Sequence, residues 1–196
     1  LTMLGIIIGV GAVIAMVGIG NGAKAQGQAR IAALGQNVIL IFSGSINRSG
    51  VYSGFGGAGT LMVEDALAIQ NEVSGVAAVS PEARSGGQLM AGNNNWSTQI
   101  MGEGVDYFSI RQWDFADGAA FTEADVRSAT KVCVLGKTTA DKLFPGEDAV
   151  GQTLRIKNVP IRVLGVLHPK GVSMMGSDQD DTVIVPYTSV QKKLLG

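Results

Sequence analysis

The sequence predicts an α+β fold, in which one transmembrane helix is followed by a water-soluble domain of short strands and helices. Residues 1–23 carry no charge, whereas the 15 basic and 16 acidic residues all lie from Lys24 onward. Glycine makes up 28 of the 196 residues, which is about twice its usual share and predicts many tight turns. The chain therefore divides into an apolar N-terminal segment and a longer globular part.

Residues 1–22 are predicted to cross a membrane. A span needs about 20 apolar residues, because each adds about 1.5 Å toward a hydrocarbon core of about 30 Å. The apolar part of a signal peptide needs only about 7 to 15 residues. A cleaved signal peptide stays open as an alternative, because Ala23-Lys24-Ala25 has the form of a cleavage site. The length of the segment and the lack of a charged region before it favour a membrane helix.

Small residues recur along the predicted span at the spacing of one helical turn. The pairs are Gly5 with Gly9, Gly11 with Ala15, and Gly18 with Gly22. Such spacing places both members of a pair on one face of a helix, where a second helix can approach closely. Glycine is also common in membrane helices generally, which explains any single pair without a partner. The three pairs together predict a partner helix.

The helix is predicted to continue beyond the membrane as a stalk over residues 23–34. It ends at Leu34, with Gly35 as the stop signal. Ala25 and Ala29 lie within the stalk, and no proline interrupts it. A helix without a break can carry displacement or rotation along its length, so we expect a proline at either alanine to interrupt that transmission.

Signals for strand and helix alternate after the stalk. An apolar run predicts a fully buried strand, a Gly/Ser-rich loop follows it, and a helix then leads to a second strand. These four elements are predicted at residues 38–42, 43–59, 61–72 and 76–79. The order strand, helix, strand is typical of an α/β part.

Beyond residue 81 the pattern changes to short strands separated by turns, which predicts a second, mainly β part. Residues 88–91 and 97–101 flank Gly92-Asn93-Asn94-Asn95, a hairpin signal. Thr122 and Asp125 form a capping box, which predicts the start of a short helix. Further strands are predicted at 131–135, 151–156, 161–167 and 182–185, and further helices at 138–144 and 188–195.

A partial nucleotide-binding motif follows the strand at 131–135. Gly136-Lys137-Thr138 opens a predicted helix, as a P-loop would, but Lys131 stands where that loop needs its first glycine. Such a loop could not wrap around a phosphate. The segment is therefore interpreted as a turn before a helix.

Candidate metal and catalytic groups also lack their partners. Asp178, Asp180 and Asp181 resemble the start of a calcium loop, but the glycine and glutamate that such a loop requires are absent. They are interpreted as a solvated acidic turn. His168 is the only histidine, which argues against a His-rich metal site within the chain. Without a G-x-S-x-G motif, it also argues against a serine hydrolase.

Composition and the local setting of single residues narrow the possible functions of the chain. A net charge of −1 without a clustered basic surface argues against nucleic-acid binding. Cys133 lies in an apolar run and is predicted to pack in the core, while Trp96 and Trp113 are predicted to be packing anchors. The sequence predicts no catalytic residue, cofactor site or metal site in this chain.

Several short segments carry a family resemblance through their order along the chain. They are LTMLGIIIGV at 1–10, IAALGQN at 31–37, VCVLG at 132–136, LFPG at 143–146, VGQTLRI at 150–156, VLGV at 163–166, DQDD at 178–181 and VIVP at 183–186. The ordered set resembles MacB-type and FtsX-like ABC transporter permeases. The resemblance extends over essentially the whole chain, which is similar to the first half of such a permease.

The resemblance implies a domain division. Residues 1–22 correspond to the first transmembrane helix, and residues 23–85 to the stalk and the first section of an α/β "porter" part. Residues 86–183 correspond to a mainly β "sabre" part, and residues 184–196 return into the porter part. This division agrees with the two patterns read from the residues, and it implies that everything after the span is periplasmic.

The resemblance also implies a non-enzymatic permease subunit of the bacterial inner membrane. Such permeases pair with a second copy and couple to an ABC ATP-binding domain or subunit, which holds ATP and Mg²⁺. They pass its closure to the periplasm, a process called mechanotransmission. Some engage a periplasmic adaptor and an outer-membrane channel to export macrolides, peptides or toxins, and others move lipoproteins or regulate cell-wall hydrolases. The chain itself is expected to hold no cofactor.

Two other functions stay open. A single-pass anchored binding or sensor domain without an ATPase would explain the apolar segment and the soluble domain equally well. The small-residue spacing and the family-like segments weigh against it. An NTPase built on Gly136-Lys137-Thr138 would require nucleotide binding by the soluble part.

Overall fold

The computed structural model describes residues 2–32, 37–46, 52–55, 61–173 and 176–194. The chain forms two compact units, one ending at Asn37 and the other beginning at Val38. Each unit is described below by itself.

The first unit contains a single long helix, α1 (Thr2–Ala32), of 31 residues. Its length corresponds to about 46 Å at 1.5 Å per residue. Ala25 and Ala29 lie within it, whereas Leu34 and Gly35 fall outside the described residues. Across the ranges that the structure describes, no helix meets the length and apolarity expected of a membrane span. The predicted transmembrane helix therefore stays a prediction.

The second unit begins with a segment that is not the predicted strand. Residues 38–43 form no regular element, and Ile39 and Leu40 are 84% and 59% exposed. A strand needs a neighbour for its backbone hydrogen bonds, and none of the described strands pairs with this run. The predicted loop at 43–59 is also wrong in part, because β1 (Gly44–Ile46) and β2 (Tyr52–Phe55) form an antiparallel pair there.

Helix α2 (Val63–Glu72) lies where the sequence predicts a helix. The carboxylate of Asp65 accepts the backbone N–H of Met62 at 2.8 Å, which satisfies a donor that the helix itself leaves open. No residue of α2 is buried. The strand predicted at 76–79 is wrong, since these residues form no ladder, so the predicted unit of strand 38–42, helix 61–72 and strand 76–79 does not form.

In the described part beyond residue 82, seven strands form one mixed sheet. They are β3 (Ala83–Ala91), β4 (Asn94–Glu103), β5 (Phe115–Gly118), β6 (Val132–Leu135), β7 (Thr153–Ile156), β8 (Val159–Leu167) and β9 (Thr182–Pro186). Three short helices lie between strands: α3 (Tyr107–Ile110), α4 (Glu123–Ser128) and α5 (Lys137–Leu143). A fourth, α6 (Tyr187–Ser189), follows β9 and runs into a π-helical turn at Val190–Leu194.

The sheet closes on itself through β8. The strand order is β5-β8-β6-β9-β4-β3-β7, and β7 pairs again with β8. The first half of β8 is antiparallel to β7, and its second half is parallel to β6. Six strands thus form a ring, and β5 extends it at one edge. Closure removes most of the unpaired strand edges that a flat sheet would expose.

Two hydrophobic clusters occupy opposite faces of this sheet. Cys133 and Leu135 belong to the first cluster, and Val132 and Val134 to the second, as the alternation of side chains along a strand requires. The first cluster includes side chains of α5, and the second includes side chains of α3 and α4. All four residues of β6 are buried, which explains its uniformly apolar sequence.

Local signals in this region are confirmed. β3 and β4 form the predicted hairpin with a two-residue turn at Gly92-Asn93. The predicted strands at 151–156 and 161–167 correspond to β7 and β8, which form another hairpin with Lys157 and Asn158 both at positive φ in its turn. Thr122 and Asp125 make the predicted capping box, in which the Thr122 hydroxyl accepts the Asp125 N–H at 3.3 Å.

Candidate functional site

The predicted packing positions of α1 lie on open helix surface. Within this unit, nothing lies within 4 Å of a Cβ built on the glycines at these positions, which are Gly5, Gly9, Gly11, Gly18 and Gly22. Ala15 is exposed as well. The helix carries large apolar side chains between these positions, of which Val13 and Ile14 are 62% and 67% exposed. Whether another helix packs there stays a prediction.

The start of α5 is occupied by protein groups. The N–H of Gly136 donates to the carbonyl of Thr182 at 3.0 Å, and the N–H of Thr139 donates to the carbonyl of Asp180 at 3.4 Å. The ammonium group of Lys137 pairs with Asp141 at 2.5 Å. A P-loop binds phosphate through its free backbone amides and its lysine. Because these groups already have partners, the geometry agrees with a turn before a helix.

The interpretation of the acidic residues after β8 as a solvated turn is wrong for Asp180, which is buried, and for Asp181, which is half-buried, whereas Asp178 is exposed. Asp180 is only 5% exposed, and its carboxylate accepts the backbone N–H groups of Lys170 and Gly171, both at 2.8 Å. Asp178 accepts the hydroxyl of Thr138 at 2.8 Å. Charge-assisted bonds to backbone amides are among the stronger hydrogen bonds in proteins. The two carboxylates fasten the β8–β9 connection to itself and to α5.

Asp181 links the same connection to β4. Its carboxylate accepts the indole N–H of Trp96 at 2.7 Å and the hydroxyl of Thr139 at 3.1 Å. Its carbonyl accepts the hydroxyl of Thr98 at 2.8 Å. Trp96 also lies beneath the ammonium group of Lys142, 5.2 Å from its ring centroid. Trp96 is therefore an anchor, as predicted, but for a polar network that the sequence did not reveal.

Gly136 makes this arrangement possible. A Cβ at this position would lie 2.2 Å from the carbonyl oxygen of Asp180. Only glycine allows the two backbones to approach so closely. This contact, like the Thr138–Asp178 hydrogen bond, brings together residues about 40 positions apart.

A second tryptophan anchors the other end of the connection. The indole N–H of Trp113 donates to the carbonyl of His168 at 3.0 Å, and the ring packs in the second hydrophobic cluster. The ammonium group of Lys170 lies 5.0 Å from the centroid of this ring. Burial and the neighbouring Arg111 lower the pKa of Lys170. His168 thus contributes its backbone carbonyl here.

Among the residues that the structure describes, a strongly perturbed carboxyl group belongs to Glu103, which the sequence did not suggest. Glu103, the last residue of β4, is 1% exposed, and burial raises its pKa to about 8. It accepts the hydroxyl of Ser80 at 2.7 Å. In the sequence, the glycines on both sides of Glu103 are the only nearby sign of such burial. They let neighbouring chain segments come close to it.

The single cysteine is enclosed by the core. Cys133 is fully buried in the first cluster, as predicted, and burial raises the pKa of its thiol. In the part of the chain that the structure describes, no group of three or more His, Cys, Asp or Glu side chains could hold a metal ion. The hydrogen bonds described above hold loops against the sheet.

Comparison with known proteins identifies the fold. The profile of one family, described as the MacB-like periplasmic core domain, matches residues 1–196. The chain belongs to this family. The match confirms the resemblance seen in the sequence, and it covers α1 as well as the sheet.

Curated relatives of this family member are longer than the chain. The macrolide export ATP-binding/permease protein MacB of Syntrophobacter fumaroxidans is 45% identical over 197 residues, covering 100% of this chain and 28% of the relative. The protein of the same name from Wolinella succinogenes is 39% identical over 196 residues, covering 100% and 30%. The chain therefore spans less than a third of the length of these relatives.

Solved structures agree with the architecture. The crystal structure of the periplasmic region of MacB from Actinobacillus actinomycetemcomitans matches with a TM-score of 0.68 at 28% identity, covering 85% of this chain and 72% of that one. The extracellular domain of the ABC-type transporter YknZ from Gram-positive bacteria matches with a TM-score of 0.60 at 21% identity, covering 69% of this chain and 67% of that one. At this identity the match shows only that the two share a fold. The MacB-like domain is thus a mixed α/β fold.

Proposed function

We propose that this chain is part of the permease of an ABC transporter, coupling cytoplasmic ATP hydrolysis to a conformational change in the periplasm. The cargo would be a macrolide, a peptide, a toxin or a lipoprotein. The observation that carries the proposal is the alignment of the whole chain, at 45% identity, with a protein named for macrolide export and for both ATP-binding and permease parts. ATP and Mg²⁺ would bind to the ATP-binding domain or subunit, and this chain would be non-catalytic.

In this proposal, residues 1–22 lie in the inner membrane and the rest of α1 is a stalk in the periplasm. Two observations support it: residues 1–23 carry no charge, and the described large apolar side chains of that stretch are exposed. At about 46 Å, α1 is longer than the hydrocarbon core of about 30 Å, so it would extend beyond the bilayer. Because no described helix meets the criterion for a span, the anchoring needs its own measurement.

The proposed partners follow from the same placement. A second permease copy would pack against α1 at one of its small-residue pairs, where close approach is sterically open. The sheet domain would face the periplasm, where an adaptor protein and an outer-membrane channel are further proposed partners. Residues 23–85 with the final helix, and residues 86–183, would form the porter and sabre parts.

Proline substitution in the stalk tests the proposal. A proline inside a helix removes a backbone hydrogen bond and costs about 3 kcal/mol, so Ala25→Pro and Ala29→Pro should break α1 where it leaves the bilayer. We expect either variant to hydrolyse ATP while losing most export, measured as cargo exported per ATP in membrane vesicles that contain the permease and its ATPase.

Serine at the same positions provides the matched control, because it keeps the helix and should leave export unchanged. Each variant is also washed at alkaline pH, and all should stay in the membrane pellet. Release of the unmodified protein by the wash would contradict the membrane anchor. Full export by both proline variants would contradict transmission through the stalk.

A further inference from the structure

Three chain connections meet at the end of β4. Glu103 is the last residue of β4 and pairs with Pro186, the last residue of β9. Ser80 lies in the connection from α2 to β3, and Gly104 begins the connection from β4 to α3. The connection from α2 to β3 therefore lies directly beside the segments that leave β4 and β9.

A short chain of hydrogen bonds joins these connections. The hydroxyl of Ser80 donates to one carboxyl oxygen of Glu103 at 2.7 Å, and the N–H of Gly104 donates to the oxygen of Ser80 at 2.9 Å. The packing is close, because a Cβ on Gly104 would lie 3.3 Å from the ring of Pro81. Ser80 thus bonds to both residues at the end of β4.

The second carboxyl oxygen of Glu103 is buried and has no hydrogen-bond partner among the described groups. Glu103 itself is 1% exposed. An ionised carboxylate in such a place would lose its hydration without gaining compensating bonds on that oxygen. The neutral acid is easier to bury, so the closed arrangement favours the protonated form.

Charged and titratable groups face Glu103 from several elements. Arg84 of β3 and Arg111, just after α3, favour the ionised form, as does the hydroxyl of Ser80. Tyr107 of α3 is close enough for the carboxylate to raise the pKa of its phenol, after burial as the larger cause. β9 places the non-titratable Pro186 opposite, and α6 begins with the phenol of Tyr187. Burial outweighs the two cations, and the pKa of Glu103 is raised from 4.5 to about 8.

We propose that Glu103 and Ser80 form a pH-sensitive latch, which fastens the connection after α2 to the end of β4 while the carboxyl is protonated and releases it on ionisation. Release lets the carboxylate reach water, and the bond between Ser80 and Gly104 opens with it. The latch lies near residue 85, where the domain division predicts the boundary between the porter and sabre parts.

The sign of the pH dependence follows from linkage. In the open state Glu103 would ionise near its ordinary pKa of 4.5, whereas in the closed state it ionises at about 8. Between these values the open state binds fewer protons, so opening becomes more favourable as the pH rises. The opening equilibrium changes by up to about tenfold per pH unit in this window and levels off above it.

The backbone N–H of Gly104 reports the latch directly, since it donates to Ser80. Hydrogen exchange of this amide, resolved by NMR on the full chain in detergent micelles and corrected for intrinsic exchange, gives its protection factor. Between about pH 5.5 and about pH 7.5 we expect this factor to fall by up to about a hundredfold. The amide of Ile184, at the centre of the sheet, should keep its protection.

Two variants test whether the protection of Gly104 depends on the ionisation of Glu103 and on the hydroxyl of Ser80. Glu103→Gln keeps the shape of the side chain but cannot ionise, so protection of Gly104 should be the same at both pH values. Ser80→Ala removes the acceptor, so protection should be low at both. Equal protection of the unmodified chain at both pH values, the same fall in Glu103→Gln, or full protection in Ser80→Ala would each overturn the latch. The result does not depend on transport.

Discussion

The region before residue 83 and the sheet region after it differ in where their apolar side chains lie. Among the side chains that the structure describes, every buried one lies between Leu89 and Val190. The earlier region is also apolar, yet Ile39 and Leu67 are 84% and 53% exposed. Apolar sequence forms a core only where another layer faces it. The closed sheet and its short helices supply such layers, and the described earlier elements do not.

A pair of leucine truncations gives the largest expected difference between the two regions. Leu135 of β6 is 0% exposed, whereas Leu67 of α2 is 53% exposed. Leu135→Ala should lower the free energy of unfolding by about 2–5 kcal/mol, because it leaves a cavity in the first cluster. Leu67→Ala should change it by less than about 0.5 kcal/mol. Urea denaturation followed by tryptophan fluorescence measures both.

Tryptophan is a suitable probe because Trp96 and Trp113 both lie in the sheet region. Equal losses in the two variants would show that α2 contributes to the same core. The contrast between the regions would then be wrong.

A pair of glycine substitutions sharpens the comparison within the sheet region. Gly136→Ala would place a Cβ 2.2 Å from the carbonyl of Asp180, so the β8–β9 connection must move. We expect Gly136→Ala to lower the free energy of unfolding by about 1–3 kcal/mol. Gly86→Ala on β3 is the control, because no atom lies within 4 Å of a Cβ built there. It should leave the free energy of unfolding nearly unchanged.

The same urea titration separates these two variants. If Gly136→Ala left the free energy of unfolding unchanged, the polar network around Asp180 and Asp181 would have to tolerate displacement. The network would then not fasten the connection in the way described.

Much of the sheet region could be predicted because its signals are local. The turn at Gly92-Asn93 and the capping box at Thr122 each depend on residues within a few positions of one another. The uncharged N-terminal segment likewise indicated a helix by itself. Such features need no knowledge of the rest of the fold.

The errors come from features that depend on distant partners. The run 38–42 has the composition of a buried strand, but composition does not supply the neighbouring strand that a ladder requires. Asp181 looked like a solvent-facing acid because its partners lie far away in sequence, such as Trp96 at a separation of 85 residues. Glu103 gave almost no signal for the same reason, since its partner Ser80 is 23 residues away.

The central claim, that α1 transmits motion as a rigid helix, is tested most directly by inserting alanines after Ala29. Each added residue rotates the two ends of a helix by about 100°, so two residues turn them by about 200° and four by about 40° beyond a full turn. Export per ATP hydrolysed is then compared in membrane vesicles. A rigid helix predicts that the two-residue insertion loses far more coupling than the longer four-residue insertion. Equal coupling in both variants, or a loss that simply grows with length, would contradict it.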